Sequence, residues 1–138
     1  MAGKKFEFLE HTADIKFRAW GKSLNEVFEN CVLAVSHVIG RGIKIKSAKE
    51  KKIEISGEDN ESLLYKLIDE IIYLLDSENF VAAGAKIEIK GKELKGVFYG
   101  DSSENYNGLE HIKAATYAEM HVKKIGDKNF EAQAVIDV

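Results

Sequence analysis

Asp14 and Asp137 are the residues of this 138-residue sequence best suited to chemistry, because hard cations such as Ca²⁺ and Mg²⁺ want several oxygen ligands on backbone that can converge. Asp137 is the penultimate residue of an apolar terminal run, Ala134-Val135-Ile136-Asp137-Val138, so its side chain and the α-carboxylate of Val138 come close together at a strand end. Asp14 closes a polar turn, Glu10-His11-Thr12-Ala13-Asp14. If that turn lies beside the terminal strand, three carboxylates repel one another unless a cation or strong donors neutralise them. A metal is the simplest neutraliser, with His11 and Thr12 as outer donors. On these residues alone the plainer account is favoured and stays open: Asp14 caps a turn and Asp137 is a solvated terminal charge.

Other chemistries find little support. The sequence has no nucleophile elbow, phosphate-binding loop, dinucleotide glycine fingerprint or paired histidines at helical metal-ligand spacing. Gly96, Gly100 and Gly108 read as hairpin ends rather than a phosphate cradle. His37, His111 and His121 read as ordinary surface or capping groups. The single cysteine, Cys31, excludes an intramolecular disulfide and a clustered-thiolate zinc site, and its place on an apolar helical stripe makes it a small buried hydrophobe. Trp20, Tyr99, Tyr106 and Tyr117 could stack bases, with Lys113 or Lys123 meeting phosphates. The interleaved Glu104, Glu110 and Glu119 oppose a polyanion, so packing across a sheet is the better account of those aromatics.

The elements that must position these residues follow from periodicity. Phe6 to Leu9 and Ile15 to Trp20 read as strands flanking the acidic turn. Ser23-Leu24-Asn25-Glu26 is a capping box opening a helix whose Leu24, Val27, Phe28, Cys31, Val35 and Val38 recur at three- and four-residue spacing, with Gly40 and Gly42 as its stop. Ile43 and Ile45, then Ile53 and Ile55, alternate with polar residues as half-buried strands do. After a turn at 57–60, Leu63, Leu64, Leu67, Ile68, Ile71, Ile72 and Leu75 stripe a second helix over about 61–77. Hairpins follow around Gly91-Lys92 and Gly126-Asp127, the first joining 85–90 to 94–99 and the second joining 112–122 to 130–138. The class is α+β: a mostly antiparallel sheet packed with two main helices, in one domain over 1–138, since no linker or repeat divides the chain.

Composition agrees. With 45% hydrophobic and 31% charged residues the sequence is that of a soluble globular protein, and a net charge of -3 gives no overall pull toward nucleic acid. No apolar run approaches the roughly 18 to 20 residues needed to span a bilayer, and Glu7 interrupts the only N-terminal apolar stretch, so a cytoplasmic protein without membrane partners is expected.

Taken together, Phe8-Leu9-Glu10-His11-Thr12-Ala13-Asp14-Ile15 and Ala19-Trp20-Gly21-Lys22-Ser23-Leu24 resemble the opening signature of the archease family. Leu63-Leu64-Tyr65, Leu67-Ile68-Asp69-Glu70 and Tyr73-Leu74 resemble its second helix, Lys113-Ala114-Ala115-Thr116-Tyr117 its late strand motif, and Ile136-Asp137-Val138 its ending. Four motifs in the right order cover nearly the whole chain. The resemblance implies a metal site at Asp14, Asp137 and Val138, usually with calcium, although magnesium or manganese suits the same oxygens; this overturns the plainer account. It also implies a partner, a GTP-dependent RNA ligase of the RtcB type that joins RNA ends during tRNA splicing. The protein would promote that ligase's guanylylation and repeated turnover, touching RNA only through the ligase and carrying no catalytic residue of its own. Lys113 becomes a candidate partner contact. Many relatives carry histidine where Ala118 stands, so no role passes to that position. Two rivals are a general chaperone or modulator of nucleic-acid-modifying enzymes, and a metal-dependent hydrolase centred on the same carboxylates.

Overall fold

The structure, a computed structural model, describes residues 4–11 and 13–138. Residues 1–3 and Thr12 lie outside that description. In chain order the elements are β1 (Phe6–Leu9), β2 (Ile15–Gly21), α1 (Leu24–Gly40), β3 (Lys49–Ser56), α2 (Asn60–Glu78), β4 (Phe80–Lys90), β5 (Glu93–Ser102), a short 3-10 turn (Ser103–Asn105), β6 (Ala114–Ile125) and β7 (Asn129–Asp137). This is the expected α+β class with two helices, but the strands divide into two sheets. One has the order β1-β2-β7-β6 and the other β3-β5-β4, and every pairing is antiparallel.

α1 starts as its capping box requires, with the Glu26 amide donating to Ser23 Oγ at 3.1 Å. The returning arm differs from expectation: Glu26 Oε1 accepts from the amide of Lys22, one residue ahead of the cap. The stop also differs. Gly40 is the last helical residue, and the left-handed position falls on Arg41 (φ 52°), whose amide reaches the carbonyls of His37 and Val38. Val27, Phe28, Cys31, Val32, Ala34, Val35 and Ile39 are all buried, which leaves α1 apolar nearly all round, as a helix packed against both sheets must be. Cys31 sits in that core, and burial pushes its thiol far above the ordinary range.

α2 packs along β6 and β4. Its Asp59 cap accepts from the Ser62 amide at 2.8 Å. Both helices also protect sheet edges. Asn25 and Glu29 of α1 accept from the outward amides of Ile89 and Ile87 on β4, and Glu61 of α2 accepts from Val122 on β6. Edge amides that would template another chain are thereby satisfied.

Two expectations need correction. Ile43 and Ile45 lie in an irregular segment, not a strand: its donors go elsewhere, the Lys46 amide to the Tyr106 hydroxyl and the Ala48 amide to the Gly100 carbonyl. Alternation survives only as burial, Ile45 inside and Ile43 60% exposed. Gly96 and Gly100 are not hairpin ends but interior residues of the central strand β5. A side chain at either would collide with a carbonyl of β4, that of Lys86 or Val81.

Buried Asp101 ties the end of β5 to the irregular segment. It accepts from the Ser102 amide (2.8 Å), Asn105 Nδ2 (3.1 Å) and the Tyr106 hydroxyl (2.8 Å). Chiefly through the Tyr106 bond, and then that from Ser102, the carboxyl is held below its usual range. A lowered native value means that this carboxylate stabilises the fold above the ordinary value of about 4, and that the stabilisation is lost as pH falls through the native one. Melting temperature followed from pH 6 downward should therefore fall more steeply for the wild type than for Asp101→Asn; parallel acid limbs would show that Asp101 is not a source of acid sensitivity.

Candidate functional site

β2 and β7 pair in register from Gly21 opposite Phe130 to Ile15 opposite Ile136. Asp14 directly precedes Ile15 and Asp137 directly follows Ile136, so the last pair of that ladder leaves the two aspartates at neighbouring strand ends. The cross-strand partner of Asp137 on its other side is Ala114, and the Lys113 amide donates to the Asp137 carbonyl at 2.8 Å. Three of the residues singled out from sequence thus meet at one end of the four-stranded sheet, with Val138 following directly. The reason is topological: β7 runs between β2 and β6, so the chain end is flanked by the acidic turn on one side and the start of β6 on the other.

Asp14, Asp137 and Val138 are each half-buried. Among the described residues neither aspartate side chain accepts a hydrogen bond or forms a salt bridge. Two partly exposed carboxylates with no protein partner among the described residues are open to a cation from solution. Among the described residues, no three His, Cys, Asp or Glu side chains converge as a metal-holding group. Beyond the two carboxylates, the main chain at Val138 offers a further oxygen. All of these donors are oxygens, the set that calcium, magnesium and manganese prefer.

His11 is drawn to a different partner. Its Nε2 lies 2.8 Å from Glu119 Oε2, and the other carboxylate oxygen of Glu119 accepts from Lys16 Nζ at 2.9 Å. His11 Nδ1 is buried with no hydrogen-bond partner among the described residues. His11 and Asp14 also line a cavity of about 500 Å³ with Phe8, His37, Arg41 and Glu110, between the acidic turn and the end of α1. Thr12 lies outside the described residues. Lys113 presents an exposed side chain with no salt bridge among the described residues.

In the sequence Glu119 registers only as a charge opposing nucleic acid. No local pattern marks it, because its contacts arise from a bulge and span more than 100 residues. The aromatics behave as the packing account expects at Trp20, which is buried with Nε1 donating to Glu131, and at Tyr106, which serves Asp101. Tyr117 departs from it: it is 55% exposed and stacks on Tyr65, ring centroids 4.3 Å apart. Among the described residues no helix is long and apolar enough to cross a membrane.

Comparison with known proteins converges on one family. The Archease protein family model matches residues 6–138. The archease of Pyrococcus furiosus is 39% identical over 141 residues, covering 98% of this chain and 99% of its own, and that of Methanosarcina acetivorans is 37% identical over 143 residues, covering 99% and 97%. The solution structure of Methanobacterium thermoautotrophicum protein 1598 superposes with a TM-score of 0.78 at 33% identity, over 96% of this chain and 98% of that one. A Thermotoga maritima crystal structure, described as an archease and possible chaperone, gives 0.60 at 26% identity over 94% of each chain. With a family model spanning nearly all of its length and relatives this similar from end to end, the chain belongs to the archease family.

Proposed function

We propose that this protein is an accessory factor of a GTP-dependent RNA ligase of the RtcB type, promoting the ligase's guanylylation and repeated turnover in tRNA splicing. The observation that carries the reading is the placement of Asp14 and Asp137, half-buried carboxylates with no hydrogen-bond or salt-bridge partner among the described residues, at neighbouring strand ends beside Val138. Asp14 and Asp137 would hold a divalent cation, calcium first among candidates, which would supply positive charge toward the phosphates of a nucleotide on the partner. Asp14 and Asp137 would offer the oxygens, and Lys113, exposed beside Asp137, a cationic contact to the partner or its phosphates. The chain itself would make or break no bond, and RNA would be met through the ligase. Such docking needs only a small interface and depends on charge complementarity between an acidic tip and a metal-loaded or basic cleft.

A second reading, a broader chaperone or modulator of nucleic-acid-modifying enzymes, draws on the description of the Thermotoga relative as a possible chaperone. Multiple-turnover ligation of 3′-phosphate and 5′-hydroxyl RNA ends by an RtcB-type ligase with GTP separates the two. The wild-type protein should stimulate turnover and Asp14→Ala should not, with both equally folded by circular dichroism. Equal stimulation by Asp14→Ala, or equal stimulation of unrelated nucleic-acid enzymes, would remove the acidic tip from the mechanism and favour the broader role.

A further inference from the structure

β6 does not run straight past β7. Between the pairs Thr116 with Val135 and His121 with Gln133, four residues of β6 (117–120) stand against the single Ala134 of β7. Within this bulge Glu119 takes a left-handed φ of 58°, a conformation that L residues other than Gly, Asn and Asp seldom adopt. The surroundings hold it there. Gln133 Nε2, on a buried side chain, donates to the Glu119 carbonyl at 2.6 Å, and the Ala118 amide donates to Thr116 Oγ1 at 3.0 Å. Strain maintained in this way by surrounding bonds clusters at functional positions.

The bulge brings both carboxylate oxygens of Glu119 to partners, one accepting from Lys16 Nζ and the other lying 2.8 Å from His11 Nε2. Its carboxyl is accordingly held below the usual range, first by the Lys16 bond and next by that of His11. Lys16 shares a sheet face with Asp137, whereas Lys113, one residue before Asp137's partner Ala114, alternates to the other face. Lys16 lies two residues from Asp14, about 6.6 Å along an extended chain. On β2 it is opposite Val135, so Asp137 is its diagonal neighbour, about 7 to 8 Å away and within reach of a flexible four-carbon stem. A lysine left uncommitted there would fold onto one of the two carboxylates and neutralise it.

We propose that Glu119 is a positioning residue that sequesters Lys16, together with His11, and so keeps Asp14 and Asp137 free for a cation. The inference rests on the reading of the tip as a cation site. It explains why an exposed glutamate is held in a costly backbone conformation, and why, among the described residues, the two tip aspartates have no salt-bridge partner with a lysine so near.

Calorimetric titration of the purified protein with Ca²⁺ tests it, comparing wild type, Asp137→Ala, Glu119→Gln, Lys16→Met and the double variant Glu119→Gln/Lys16→Met. Glutamine keeps the size of Glu119 and removes its charge. Glu119→Gln should bind Ca²⁺ about 10-fold more weakly, in the range typical for loss of a group that supports metal ligands. Lys16→Met in the same chain should return the affinity to that of the wild type. That rescue is the signature of sequestration, because a merely structural loss would not be repaired by removing a second side chain. Wild-type affinity in Glu119→Gln, or no recovery in the double variant, would overturn the role of Glu119 and leave the tip site standing. Absence of any wild-type binding that Asp137→Ala removes would overturn both.

Discussion

Asp137→Ala should lower the affinity of the purified protein for Ca²⁺ by about 100-fold or more, since calcium affinity ranges over decades with the number of anionic ligands. It should also abolish ligase stimulation. Substitution removes one of the two carboxylates that the register brings to the ladder end, leaving too few anionic oxygens to hold a hard cation against its hydration. The effect on the calcium-free fold has the opposite sign. Asp14 and Asp137 stand at neighbouring strand ends with no salt bridge among the described residues, so deleting one removes like charge and breaks no ion pair. The calcium-free variant should accordingly melt at or slightly above the wild-type temperature. The two proteins then diverge on adding calcium. At 100 times its dissociation constant a ligand bound only to the native state contributes about 2.7 kcal/mol, a rise in melting temperature that the wild type should show and the variant should not. An equal calcium-induced rise in both would place the cation elsewhere or nowhere.

What periodicity could reveal here was local. The stripes of α1 and α2, the cap at Ser23 and the turns at 91–92 and 126–127 depend on residues within a few positions of one another, and each stands where the pattern put it. Ile43 and Ile45 misled because alternation records which side chains are buried, not which backbone donors find a ladder; Tyr106, some 60 residues away, had taken the Lys46 donor. The division into two sheets was equally invisible, being decided by which strands pair across the chain. At the candidate site, the nearness of Asp14 to Asp137 was conjectured from charge and from family resemblance, and the β2 to β7 register brings the two strand ends together. Glu119 escaped notice because its function follows from a left-handed residue inside a bulge, and nothing in Tyr117-Ala118-Glu119-Met120 announces either.

Phe17→Ala should carry the largest cost to stability, about 3 to 5 kcal/mol, as expected when a fully buried aromatic is truncated in a core that cannot close around the void. Phe17 has no solvent exposure, and it lies between Phe8 of β1 and Ala134 of β7 in the sheet register. Its small neighbour on β7 explains why the cost should fall at the high end: Ala134 has only a methyl group, too short to lean into the space, and β2 is held on both sides by strands whose spacing is fixed by their hydrogen bonds. Such a loss is a large fraction of the 5 to 15 kcal/mol that holds a typical domain together, and urea unfolding should show it as an earlier midpoint at unchanged slope. Phe17→Leu, which keeps most of the volume, should cost markedly less. Because the same strands carry Asp14 and Asp137, this pair of variants separates fold from function. Below its unfolding transition Phe17→Leu should stimulate the ligase as the wild type does, whereas Asp137→Ala, the more stable protein, should not. Loss of stimulation in proportion to lost stability across all three would mean that the acidic end acts only by keeping the sheet folded.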